Sequence, residues 1–213
     1  MPPRARTPRG WDGVEIHGAH GYLLTQFLST VDNRRTDAWG GPLPNRARLL
    51  REVTRAVRAR VPSSFVVGVR LSPEDFGNAR GLDLDESLDV AAWLAEDGAD
   101  FIHLSLWDVA RPSTKRPTEH AVPQFRERVP SDVRLFVAGK IWTAADAARM
   151  FELGADVVAL GRAAIGNPDW ARLVADPSWA PQRPPFAAEE LAARALSPGF
   201  VSYMRGWKGF VAP

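Results

Sequence analysis

An α/β fold organised on a parallel sheet is predicted for this 213-residue chain by two features. Short apolar runs of strand character recur five times, and stretches with helical spacing of apolar residues separate them. Strands regularly divided by helices need crossover connections, and such βαβ units build parallel sheets. The composition, 45% hydrophobic and 24% charged, is that of an ordinary globular domain.

The first strand covers 13–17, Gly13, Val14, Glu15, Ile16 and His17, and it runs into a polar loop rich in Asn, Arg, Asp and Gly. Over 44–60, Leu49, Leu50, Val53, Val57 and Val61 recur at three- and four-residue spacing, which marks one apolar helix face. A second strand at 65–71 follows, then a helix over about 85–97, a third strand at 101–104, a proline-containing loop at 111–123 and a short helix at 124–128. The fourth strand, 134–137, meets Gly139; Thr143 is placed to cap a helix through Ala147 and Met150 to Leu153, and Gly154 stops it before the fifth strand at 157–160. The tail, 176–213, carries Pro177, Pro181, Pro184, Pro185 and Pro198 and reads as irregular chain around one helix at 187–196.

Several classes of protein are excluded by what the chain lacks. No apolar run approaches the roughly 18 to 20 residues of a membrane-spanning helix, and the start, Met1 to Arg6, has no signal-peptide core, so a cytoplasmic setting is expected. With no cysteine, disulfides, thiolate metal sites and a cysteine nucleophile are ruled out. Lys plus Arg is 27 against 25 for Asp plus Glu, and the arginines are spread along the chain, so neither nucleic acid nor a membrane surface is expected as a partner.

The densest chemical constellation is His17, Gly18, Ala19, His20, Gly21, Tyr22, leaving the first strand. Histidines three apart in a helical turn share a face, and two imidazole donors could grip one oxygen while Tyr22 adds a phenol that holds its proton at neutral pH. That equipment suits polarising a carbonyl and protonating a neighbouring carbon. A zinc pair is the rival, weakened because no Glu follows His17 and only His103 and His120 remain as further histidines; a purely structural role is the third possibility. Arg70 ends an otherwise apolar strand, at the rim where α/β sites are built, and suits an anionic or carbonyl-rich ligand, or else a carboxylate such as Glu15. The turns Ala138, Gly139, Lys140 and Leu160, Gly161, Arg162 follow the last two strands. Loops in those positions of α/β barrels commonly hold a phosphate, although close packing also explains many glycines.

At these residues the chain resembles the old yellow enzyme family of NAD(P)H-dependent flavin oxidoreductases. The resemblance runs from Gly10 to about Trp170 and is carried by the string from Gly13 to Leu24, then Gln26, Phe27, Leu28 and Ser29, then Asn33 to Asp37, Trp39 to Gly41, Asn45 and Arg46. Val69 to Pro73 and the two late glycine turns add to it. The resemblance implies a (β/α)8 TIM-type barrel holding FMN, which NADH or NADPH reduces and which passes hydride to an electron-poor alkene. It implies that His17 and His20 bind the activating oxygen, that Tyr22 delivers the proton, that Arg70 stands against the flavin, and that Gly139, Lys140, Gly161 and Arg162 hold the phosphate.

Two departures accompany it: Ala138 replaces the first glycine of a Gly-Gly pair, and only five βα units are legible where a barrel needs eight. The expected organisation is therefore an irregular arm at 1–12, a partial flavin-dependent barrel at 13–175 and a tail at 176–213 packed on it. A fragment of an ene-reductase with an incomplete flavin site is expected, acting on a small-molecule alkene, as a homo-oligomer or with a complementing N-terminal half. The alternatives are a non-catalytic remnant binding phosphate ligands or a partner chain, and a flavin-free isomerase or lyase barrel. An inward sheet face carrying Val14, Ile16, Val67 and Val69 is expected to lack its opposite wall.

Overall fold

The computed structural model describes residues 10–213, so most of the arm expected at 1–12 lies outside the described residues. In chain order the elements are β1 (Gly13–Gly18), α1 (Leu23–Leu28), α2 (Leu43–Arg46), α3 (Arg48–Arg58), β2 (Val66–Leu71), α4 (Leu84–Glu96), β3 (Phe101–Ser105) and α5 (Ala121–Arg128). They continue with β4 (Arg134–Ala138), α6 (Ala144–Glu152), β5 (Val157–Ala159), α7 (Arg162–Gly166), α8 (Trp170–Leu173), α9 (Ala188–Ala193) and α10 (Pro198–Arg205). The five strands pair in sequence order, every pair parallel. That is the open arc of strands that βαβ crossovers produce.

Strand alternation puts two different chemistries on the two faces of the arc. Val67, Val69, Ile102, Leu104, Leu135 and Val137 are buried in one cluster with Leu50 of α3, Leu94 of α4, Phe125 of α5 and Met150 of α6. This corrects the expectation for Ile16, Val67 and Val69, which lie under the helices and not on an unwalled inner face. The register His17↔Arg70↔His103↔Phe136 assigns the opposite face instead to Glu15, His17, Arg70, His103 and Phe136. Phe101, on that same face, stacks on Phe136 with ring centroids 4.3 Å apart. The face that carries the site is thus polar and aromatic.

Local chemistry explains the element ends. Asp83 caps α4 by accepting from the backbone N–H of Asp85 and Glu86, and Thr143 caps α6 in a reciprocal box with Asp146. The helix expected over 44–60 is broken at Ala47 into α2 and α3, and the loop after β1 contains α1, too short to show a helical period. Arg46, almost fully buried, ties these pieces together: it donates to the carbonyl oxygens of Gly41 and Leu28 and pairs with Glu86 of α4. Asn33 similarly donates to the carbonyls of Phe27 and Trp39 at 2.7 and 2.8 Å.

The tail holds two helices, α9 and α10, where one was expected. Its anchor is Phe186, fully buried, whose ring lies where a side chain on Gly166 would stand. Its backbone hydrogen bonds run to Phe210 and Ala212. No helix among the described residues is long and apolar enough to cross a membrane.

Candidate active site

Five strand ends converge on one rim, and the predicted residues sit on them. His17 is in β1 and Arg70 in β2, paired in register; Gly139 follows β4, and Gly161 follows β5 after one residue. The sharing of a helical face expected for His17 and His20 is not what brings them together. His17 projects from the strand, while His20 sits in a turn with φ of 64°, and the two rings meet edge to face with centroids 5.0 Å apart. Tyr22, the residue before α1, stands 5.5 Å from the His17 ring and is 63% exposed. The two imidazoles expected to grip one oxygen and the phenol expected to protonate the neighbouring carbon therefore lie together in one cluster.

The turn that delivers them is steric. Gly21 has φ of 77°, and a Cβ there would stand 2.2 Å from the Asn78 carbonyl oxygen, so only glycine lets the loop after β1 press against the loop after β2. The His20 backbone N–H donates to Ser72 Oγ at 3.0 Å, which fixes the turn to the end of β2.

Ser105, at the end of β3, was not singled out from sequence. It is buried, its Oγ accepts from Arg70 Nη2 at 2.9 Å, and it lies 2.6 Å from His20 Nε2. The only advance signal is its position two residues after His103, on the face shared with Arg70. Arg70 does not pair with Glu15, the alternative considered for it. Glu15 Oε2 accepts instead from His103 Nδ1 at 2.6 Å. Arg70 Nε is left buried with no partner among the described residues, as is His103 Nε2.

Electrostatics follow from this crowding. Burial, reinforced by the Arg70 charge, pushes the His20 pKa down from 6.5 to about 4, and the same two causes lower that of His17. Both rings are therefore neutral donors near neutral pH. Burial alone would raise the Glu15 pKa, but the His103 hydrogen bond and the nearby Arg70 charge outweigh it and hold it low. Burial also lowers the Arg70 pKa, with Glu15 opposing.

A cavity of about 660 Å³ links the two ends of the rim, lined by His20, Tyr22, Arg70 and Ser105 at one end and by Gly139, Lys140, Gly161 and Arg162 at the other. Its size falls within the roughly 300–1,000 Å³ of cofactor sites. Trp107 and, from the tail, Trp207 add aromatic wall. Gly139, at φ of 150°, approaches the Leu106 carbonyl too closely for a Cβ, which would stand 2.6 Å from it. Gly161 faces open space. The Lys140 ammonium is engaged by Asp108 at 3.0 Å and lies over the Trp107 ring, whereas Arg162 is exposed with no ion pair among the described residues. The cavity thus offers, at one end, a backbone turn beside Arg162, a cation with no ion pair among the described residues, and, at the other, a buried Arg70 donor without a partner. These features fit FMN.

An open arc of parallel βα units with polar donors at its C-terminal rim has the architecture of part of a (β/α)8 barrel. The chain belongs to the NADH:flavin oxidoreductase / NADH oxidase family, whose model matches residues 3–177. It is 38% identical over 167 residues to the probable NADH-dependent flavin oxidoreductase YqiG of Bacillus subtilis, covering 76% of this chain and 45% of that one. With the NADPH dehydrogenase of Bacillus licheniformis it shares 32% identity over 205 residues, 93% of this chain and 54% of the other. Among solved structures, morphinone reductase in complex with tetrahydroNAD superposes with a TM-score of 0.70 at 31% identity, over 85% of this chain and 47% of that one. The old yellow enzyme homologue from Zymomonas mobilis gives 0.67 at 28% identity, over 85% and 50%. The chain thus spans about half the length of each of these four relatives. The family's cofactors are FMN and NADH or NADPH.

Proposed function

We propose that this chain supplies the substrate-gripping and phosphate-holding part of an FMN-dependent ene-reductase that uses NAD(P)H to reduce electron-poor alkenes. The reading rests chiefly on one juxtaposition: the His17 ring packs against the His20 ring and the Tyr22 phenol, and those two line the end of a cavity that also holds Arg70, whose Nε has no partner among the described residues. Arg70 would hold the flavin ring, and Gly139, Lys140, Gly161 and Arg162 the phosphate, Lys140 through its backbone because Asp108 occupies its ammonium. Bound FMN supplies the hydride.

The chain's own residues supply the rest. As hydride adds to the β-carbon of an enone, negative charge gathers on the carbonyl oxygen, and the His17 and His20 imidazoles would donate hydrogen bonds to it. Because both rings stay neutral, they donate hydrogen bonds without transferring a full proton to the oxygen. The Tyr22 hydroxyl then gives its proton to the α-carbon, completing addition of one hydride and one proton across the double bond. The exposure of Tyr22 lets water restore that proton.

Titrating FMN into the 213-residue chain while following flavin fluorescence, and adding NADH with 2-cyclohexenone under anaerobic conditions, tests the reading. Weak but saturable FMN binding, loosened at least tenfold further by Arg70→Ala, together with cyclohexanone formation once the first half of a family member's barrel is supplied in trans, is the expected result. FMN binding with NADH oxidised only when oxygen is admitted would replace alkene reduction by an oxidase activity. Binding without any turnover would favour a non-catalytic remnant.

A further inference from the structure

We infer that Ser105 is a positioning residue that fixes His20 in the Nδ1–H tautomer, so that Nδ1 is the ring nitrogen that donates to a ligand. The inference deepens the proposed reading of the His17, His20, Tyr22 cluster and assigns a task to a side chain outside that cluster. It starts from the inventory of hydrogens at one buried hydroxyl. Ser105 Oγ has two partners, Arg70 Nη2 at 2.9 Å and His20 Nε2 at 2.6 Å. A guanidinium only donates, so toward Arg70 the hydroxyl oxygen must accept. The hydroxyl hydrogen is then left to place, and Ser105 is buried, where an unmade hydrogen bond is costly. His20 Nε2 is the acceptor at hand, 2.6 Å from the hydroxyl oxygen. Accepting from the Arg70 cation also polarises the O–H bond and makes it the better donor. A neutral imidazole that accepts at Nε2 carries its hydrogen at Nδ1.

The remaining contacts of His20 agree with a ring held for this purpose. Its backbone N–H is anchored on Ser72 Oγ, and its backbone has the left-handed φ of 64°, so one serine fixes the main chain and the other fixes the ring. The ring borders the cavity, and among the described residues no partner takes Nδ1. Ser105 also holds Arg70 by Nη2, while Arg70 Nε stays a buried donor without a partner among the described residues. One hydroxyl therefore sets the donor directions of two site residues on neighbouring strands.

The test is a magic-angle-spinning nitrogen–carbon correlation spectrum of the full chain labelled with ¹⁵N,¹³C-histidine at neutral pH, a measurement that does not depend on particle size. The chain has four histidines, and His20→Asn identifies the signals of His20. The wild type is expected to show a protonated Nδ1 and an unprotonated Nε2 for His20. Ser105→Ala should move the ring toward Nε2–H, and Ser105→Thr should restore the wild-type pattern. An Nε2–H signal in the wild type overturns the inference, as does an unchanged ring in a folded Ser105→Ala variant. If that variant does not fold, the wild-type spectrum decides alone. No flavin or alkene is present in the measurement, so its failure would remove the tautomer assignment and leave the oxidoreductase reading to the FMN and enone experiment.

Discussion

On the proposed function the three polar side chains at the end of β1 divide the chemistry between them, and each share can be measured one residue at a time. Tyr22→Phe removes a hydroxyl but keeps the ring that packs 5.5 Å from His17. With FMN bound, flavin reduction by NAD(P)H should therefore persist while alkene reduction falls, which stopped-flow measurement of the two half-reactions separates. An equal loss in both would take the proton-donor role from Tyr22. His17→Ala and His20→Ala should each cost on the order of 10² to 10³ in the alkene half-reaction, by analogy with oxyanion-hole donors, and should weaken binding of carbonyl ligands. These three residues were legible in the sequence because two histidines and a tyrosine within six positions are a dense signal. Ser105 and Ser72 were not, since a lone serine at a strand end looks like any other until the register sets it beside Arg70 or under the His20 turn.

Among the elements, legibility followed length and period. The five strands and the longer helices announced themselves through apolar spacing, and Thr143 through its capping chemistry. The six-residue α1 and the division at Ala47 did not, because a helix of one to two turns leaves no period to read. What holds that region is the buried reach of Arg46 to Leu28 and Glu86, a tertiary arrangement that no local pattern encodes. The two glycine turns after β4 and β5 looked alike in the sequence and differ in space. A side chain at Gly139 meets the Leu106 backbone and needs a φ of 150°, whereas one at Gly161 meets nothing within 4 Å. Gly139→Ala should accordingly lower the thermal midpoint, by a cost of about 1–3 kcal/mol. Gly161→Ala should disturb the fold less and weaken FMN binding more, by filling the space a phosphate approaches. Paired thermal melts and FMN titrations check both halves, and equal stability loss in the two variants would contradict the assignment of Gly161 to the ligand.

At the scale of the whole molecule, the arc of strands leaves β1 and β5 each paired on one side only among the described residues. Strand edges with free N–H and C=O groups recruit further strands, and here the apolar side chains at those edges strengthen the tendency. Val14 on β1 is 42% exposed and Val157 on β5 is 37% exposed. The broad face between them contributes less than the sequence suggested, because Ile16, Val67 and Val69 are covered by helices and the open face presents Glu15, His17, Arg70 and His103 around the Phe101–Phe136 stack. Edge pairing, more than exposed core, is then the dominant route to association. The 213-residue chain should self-associate in sedimentation velocity at micromolar concentration. Substituting charge at the edges, as in Val14→Lys with Val157→Lys, should shift the distribution toward monomer more than Phe136→Ser on the open face does. Supplying in trans the first half of a family member's barrel should act in the same direction by pairing both edges at once. A monodisperse monomer with a sharp cooperative melt would show that both edges are closed within the chain itself and would defeat the prediction.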